Sequence, residues 1–248
     1  MTSFSFAALA VSGAALVGID TGCSSGSSHS GPACNPCDDG AAPSNGGQAL
    51  SGHDTNSYGV AYPNPSTGYG RSPRSGHTPG SVIQNFKFLG YPNADTSQGL
   101  QTIALADYYD PCNTNYAMIH LTVAAVWCPP CNQETDDIVA AKGAIAAKRV
   151  VVIQALSDGA TQGVDATPSD LISWMKTHHS NFTEMLDPGL RNLGGFFNAA
   201  AIPWNCDIDP RTMEMVKAGV GYEADVTSGL SSIPSTPSYP VPAVCGDQ

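Results

Sequence analysis

From Val82 onward the hydrophobic positions fall into compact blocks separated by turn residues. Phe86–Leu89 and Gln101–Ala106 have the length and side chains of short strands. Tyr116–Trp127 is a nearly unbroken apolar run with a turn before it and proline after it, so it reads as a strand buried on both faces, like a central parallel strand. A helix is predicted from about Pro130 to Ala147. Ile138, Val139, Ala141, Ile145 and Ala146 would form its inward stripe. Its acids, Glu134, Asp136 and Asp137, lie toward the start and Lys142, Lys148 and Arg149 toward the end, which complements the helix dipole. Val150–Leu156 is a second buried strand. Thr167-Pro168-Ser169-Asp170 then supplies an N-cap and a first-turn proline for a helix running to about His178. Phe182–Leu186 reads as a strand and Leu190–Phe197 as a short helix. Trp204–Ile208 and Met213–Val220 read as a hairpin turning at Asp209-Pro210-Arg211-Thr212. The order β-α-β-α-β-α-β-β belongs to an α/β sandwich.

Upstream the pattern is different. Phe4–Ile19 is uncharged and rich in Ala, Leu, Val and Phe, the layout of an export signal, and it is shorter than a membrane span requires. No Lys or Arg precedes Arg71, so the basic flank usual in such signals is missing. The Gly22-Cys23 junction resembles a bacterial lipoprotein cleavage site, in which Cys23 would carry the lipid. Asp20 stands where that site has an aliphatic residue. From Ser24 to about Gly80 the residues are mainly Gly, Ser, Pro and Asn without sustained periodicity, a composition too poor in apolar surface to offset backbone entropy. Four parts are expected: a signal over 1–22, a disordered tether over 23–79, the α/β domain over 80–228 and a Pro/Ser-rich tail over 229–248.

Charge narrows the partners. Ten basic against 21 acidic residues give a net charge of −11 with no basic run, so nothing here would track a nucleic-acid backbone. Eight cysteines are too few for a disulfide-built scaffold of 248 residues, and more than a reducing cytosol usually leaves unexplained.

The informative pair is Cys128-Pro129-Pro130-Cys131, placed where the long strand meets the first helix. At a helix N-terminus Cys128 meets unpaired backbone N–H groups and the positive end of the dipole, and both favour thiolate over thiol. Cys131, one turn on, is placed to attack a mixed disulfide and release its product. The prolines suit a first turn, where their missing N–H groups have no intrahelical partner. A static disulfide or half of a zinc site would use the same spacing. No second close Cys or His pair inside the domain completes a zinc set, so redox chemistry is preferred, with no metal and no cofactor.

The stretch Ala124–Glu134, which contains Trp-Cys-Pro-Pro-Cys-x-x-Glu, resembles the thioredoxin superfamily, in particular its membrane-tethered extracytoplasmic branch of TlpA and ResA type. The resemblance covers about residues 80–225. It implies a thioredoxin-like α/β fold with a central mixed sheet flanked by helices. It also implies an extracytoplasmic thiol:disulfide oxidoreductase whose partners are protein thiols and disulfides and a thiol electron donor. By the same resemblance Ile202-Pro203 is a cis-proline site. Ile202 would bond a substrate's extended backbone, Pro203 would pack beside the disulfide, and Trp127, Pro129 and Pro130 would border the substrate. Many thioredoxins keep a buried acid six residues before the first active-site cysteine. Thr122 stands there, which leaves water or Glu134 as proton acceptor, although Glu134 also reads as a first-turn charge or a structural hydrogen-bond partner. Asp187 and Asp207–Asp209 sit where the family has strand-end acids.

Two other functions fit parts of the pattern. A thiol peroxidase would want a hydroxyl residue at position 125, which is alanine. A noncatalytic surface module would keep Cys128–Cys131 as a structural disulfide. Among the remaining thiols, Cys34 and Cys37 read as a local disulfide or an accessory redox pair. A Cys112–Cys206 bridge is disfavoured, because a strand of nine residues at about 3.3 Å each separates the ends of the sheet where the two are expected. A Cys112–Cys245 bridge is allowed, and Cys206 reads as a buried thiol. His120 reads as a core histidine, and His178-His179 as a solvated helix end.

Overall fold

The computed structural model describes residues 44–45, 48–50, 52–63, 76–198, 201–237 and 245. The signal, Cys23, Cys34 and Cys37 lie outside the described residues. Seven strands form one mixed sheet: β1 (Lys87–Tyr91), β2 (Gln101–Ala104), β3 (Met118–Ala125), β4 (Val150–Asp158), β5 (Thr183–Leu186), β6 (Trp204–Asp209) and β7 (Glu214–Val220). Their spatial order is β2-β1-β5-β4-β3-β6-β7. The central β3, β4 and β5 run parallel, joined by α1 (Pro129–Ala147) and α2 (Pro168–His178). The two outer pairs are antiparallel additions at either edge. This is the mixed sheet with flanking helices that the thioredoxin-like resemblance implies.

Side-chain alternation divides the sheet into two unlike faces. Ile119, Leu121, Val123, Ile153, Met185, Trp204, Cys206 and Ile208 share one apolar cluster with Val82, Ile83, Tyr109 and Met213 from the covering segments. The other face, under α1 and α2, is apolar at its ends and polar in the middle, where Thr135 of α1 and Trp174 of α2 both bond the side chain of Gln154. β1 approaches β5 so closely that a Cβ on Gly90 would lie 2.3 Å from the Glu184 carbonyl oxygen, so only glycine fits there.

Helix α2 begins as its sequence requires. The Thr167 hydroxyl accepts from Asp170 N–H, the Asp170 carboxylate accepts from Thr167 N–H at 2.9 Å, and Pro168 occupies the first turn. It ends at His179, in the left-handed conformation at φ 54°. Helix α1 departs from the amphipathic reading. Its buried residues are Cys131, Glu134, Thr135, Ile138 and Ile145, while Ala141 and Ala146 face solvent. Its acids start one turn too deep to act on the dipole, which fades within the first turn.

The helix expected over Leu190–Phe197 does not form. A 3₁₀ turn at Pro188–Leu190 is followed by turns, because Gly189 and Leu190 both take positive φ, at 62° and 58°, and Asp187 takes the N–H groups of Asn192 and Leu193. Likewise the strand expected to Ala106 stops at Ala104, where the Asp107 carboxylate accepts the Ala104 N–H and a 3₁₀ turn, Leu105–Tyr108, begins.

Both flanking segments contact the domain. Within the stretch read as tether, Asn56 is buried and donates to the Tyr109 carbonyl at 3.0 Å, and the Tyr62 hydroxyl donates to the Ile83 carbonyl at 2.8 Å. In the tail, Cys245 is disulfide-bonded to Cys112, and the Arg211 guanidinium donates to the Pro234 carbonyl. Cys206, in register with Leu121 at mid-sheet, is a buried free thiol, and burial pushes its pKa up.

Candidate active site

β3 delivers its last residues to the start of α1, and Cys128 is the N-cap of that helix. Its Sγ accepts the Cys131 N–H at 3.2 Å and is joined to Cys131 as a disulfide. The Asn132 amide ties the turn together, donating to the carbonyls of Cys128 at 2.7 Å and Val126 at 3.2 Å. Across from the pair, the Ile202–Pro203 peptide is cis, and the Ile202 carbonyl oxygen lies 3.7 Å from Cys128 Sγ. The sequence-predicted residues Trp127, Cys128, Pro129, Pro130, Cys131, Ile202 and Pro203 therefore converge on one place.

Their exposures differ in a way that matters. Pro129 and Pro130 are exposed, Trp127 and Ile202 are half-buried, and Pro203 is buried. In the closed disulfide Cys128 is only 1% exposed and Cys131 is fully buried. An incoming sulfur must therefore displace a neighbour to reach Cys128. Trp127 packs against the cluster that holds both cysteines, and its indole N–H donates to the Asp158 carboxylate at 3.0 Å. Asp158 also accepts the Gly163 N–H at 2.9 Å, so the Gly-rich loop after β4 borders the site.

No family model and no curated protein matches the chain. Solved structures do resemble it. The thioredoxin domain of a thiol-disulfide oxidoreductase from Bacteroides vulgatus is 12% identical, with 63% of this chain and 99% of that one covered, at a TM-score of 0.48. The pneumococcal exposed lipoprotein thioredoxin from Streptococcus pneumoniae strain TIGR4 is 22% identical, with coverages of 60% and 97% and a TM-score of 0.42. A thiol:disulfide interchange protein of the thioredoxin family from Chlorobium tepidum TLS is 15% identical, with coverages of 64% and 97% and a TM-score of 0.43. These are likenesses of shape at low identity, and what the site can do follows from its own geometry.

Behind the cysteines Glu134 is fully buried one helical turn beyond Cys131. Its Oε1 accepts from the Thr122 hydroxyl at 3.0 Å, and its Oε2 accepts from the Asn205 amide at 3.1 Å and the Glu223 N–H at 2.7 Å. Burial pushes its pKa up, and these three hydrogen bonds oppose the shift. Thr122, read as an absent acid, is thus a donor that holds an acid supplied from α1.

Sequence reasoning missed Asn205 and Glu223 as parts of this site, and missed what surrounds His120. That histidine is fully buried between Asp207 and Asn205. The signal was available in Trp204–Asp209, where Asn205, Asp207 and Asp209 occupy every second position of a strand, and in His120 and Thr122 two apart in β3. Polar residues at strand period in two neighbouring buried strands face each other across one sheet surface.

Proposed function

We propose that the chain is a thiol:disulfide oxidoreductase working through Cys128 and Cys131. The observation that carries this reading is the cysteine pair at the N-terminus of α1 with the Ile202 carbonyl beside Cys128 Sγ. The Cys131 N–H that points at this sulfur stabilises negative charge on it once the disulfide opens. The reduced Cys128 thiolate attacks one sulfur of a substrate disulfide, forming a mixed disulfide and expelling the first substrate thiolate. Cys131 gives up its proton, attacks Cys128 Sγ and expels the second thiolate as the Cys128–Cys131 bond re-forms. Two electrons pass to the substrate. The proton from Cys131 passes by way of Glu134 to a departing thiolate. A thiol donor regenerates the dithiol by the same steps in reverse.

Trp127, Pro129, Pro130 and Ile202 form the substrate-facing rim, and Pro203 packs beside the pair. The substrates are protein disulfides outside the cytoplasm, and reduction is the working direction. The apolar Phe4–Ile19 run and Cys23 direct export and lipid anchoring. The Cys112–Cys245 bridge supports an oxidising compartment, since structural disulfides are rare where glutathione and thioredoxin keep thiols reduced. Among the described residues no helix is long and apolar enough to cross a membrane, so the tether is the proposed attachment.

The test is turnover of hydroxyethyl disulfide with dithiothreitol as donor. Expected is catalysis by the wild-type chain and none by Cys128→Ser. Equal rates in the two would remove Cys128 as nucleophile.

A further inference from the structure

The hydrogen bonds around His120 fix where its protons lie. The Asn205 amide faces the Gly221 carbonyl at 3.0 Å and Glu134 Oε2 at 3.1 Å, and a carbonyl oxygen can only accept, so the NH₂ end of Asn205 lies on that side. Its oxygen end therefore faces His120 Nε2, at 3.2 Å, and Nε2 must carry a proton. The other ring nitrogen faces Asp207 Oδ1 at 2.7 Å, a second acceptor. Both nitrogens therefore face acceptor oxygens, the arrangement that suits an imidazolium held between a carboxylate and an amide with no exposure to solvent.

We propose that His120 is a positioning residue for the redox site: as a buried imidazolium paired with Asp207, it locks the Asn205 amide so that its NH₂ donates to Glu134. The proposal rests on the oxidoreductase reading only in that Glu134 handles the proton of Cys131. The charged groups around the ring are Glu134 from α1, Asp207 from β6, Lys217 from β7 and Glu223 from the segment after it. Lys217 Nζ lies 3.9 Å from Asp207 Oδ2, and Lys217 also pairs with Glu223. The pairing is sealed from outside by Gly229, where a Cβ would fall 1.9 Å from Asp207 Oδ2, so any side chain there would displace the carboxylate. Asn205 itself lines a cavity of about 370 Å³ with Lys217, Gly221, Glu223, Asp225 and Ser228, which places solvent one amide away from Glu134.

Without the imidazolium, Asn205 keeps its bond to the Gly221 carbonyl but loses the donor that holds its oxygen end, and Glu134 loses a neighbouring positive charge, so it holds its proton more tightly. The experiment uses the full chain. The Glu134 carboxyl is titrated by ¹³C NMR in wild type and His120→Gln, and the pH–rate profile of disulfide reduction is recorded for both. Expected is an upward move of the Glu134 midpoint by roughly one pH unit, the scale set by losing one close opposite charge, with the same displacement in the rate profile. An unchanged Glu134 midpoint in a folded variant overturns the proposal. If His120→Gln does not fold, ¹⁵N NMR of the wild-type imidazoles decides: two protonated ring nitrogens at His120 support it, and one bare nitrogen overturns it. Absence of turnover in wild type would sink the oxidoreductase reading, while the Glu134 titration and the imidazole signals would still decide the role of His120.

Discussion

The indole N–H of Trp127 donates to the Asp158 carboxylate at 3.0 Å, which ties the side chain packed over the disulfide to the loop that follows β4. Access to Cys128 is thereby coupled to a loop outside the Cys-Pro-Pro-Cys motif.

Asp158→Ala should loosen that coupling. Dithiothreitol should reduce the Cys128–Cys131 disulfide several-fold faster than in wild type, read by stopped-flow tryptophan fluorescence. The loss of two hydrogen bonds should cost about 1–3 kcal/mol of stability in urea unfolding. An unchanged reduction rate would mean that Trp127 does not limit access.

Glu134 links pH to both stability and chemistry. Its folded pKa is raised, so its stabilising contribution is fully present below the unfolded carboxylate value of about 4.3 and is lost as pH rises through the folded value. Glu134→Gln should therefore show a flatter stability–pH curve. Its carbonyl can accept from Asn205 and Glu223 while its NH₂ faces Thr122, so the fold should persist. Disulfide turnover at neutral pH should fall by about 10²-fold, the contribution of a positioned proton acceptor. Urea unfolding across the pH range, alongside the turnover assay, checks both effects.

Glu184 on β5 is buried, and neither of its oxygens has a hydrogen-bond partner among the described residues. Burial pushes its pKa up to about 8. The same sign applies: its contribution is present below the unfolded value and is lost as pH rises through about 8. Glu184→Gln should remove a large part of the stability loss that wild type shows between about pH 4.3, the unfolded carboxylate value, and about pH 8. Wild-type stability that did not fall over that window would show the carboxyl finding a partner.

The Cys112–Cys245 bridge closes a loop with a sequence separation of 133 residues. Replacing both cysteines by alanine should destabilise the domain by up to about 5 kcal/mol on the chain-entropy scale, measured in urea without reductant. Activity below the unfolding transition should survive, since the bridge lies away from the Cys128–Cys131 pair.

Much of this was legible in the residues. The long apolar run of β3, the Thr167 capping box and the Trp-Cys-Pro-Pro-Cys junction each combine a local signal with one physical outcome, and each stands where the pattern places it. Leu190–Phe197 was misread because apolar spacing alone suggests a helix, while positive φ at Gly189 and Leu190 and the side chain of Asp187 decide otherwise. The network around His120 was hidden for another reason. Its partners lie 85 and 87 residues away, at Asn205 and Asp207, and only the register of β6 against β3 brings them together.

The most direct measurement equilibrates the folded chain with glutathione buffers of graded potential and counts alkylated Cys128 and Cys131 by mass spectrometry. Expected is a reversible passage of the two together from disulfide to dithiol at a potential within the range of about −120 to −270 mV spanned by thioredoxin-type pairs, with Cys112–Cys245 closed throughout. A Cys128–Cys131 pair that stays oxidised in excess dithiothreitol while the fold is intact would contradict a redox role and leave a structural disulfide.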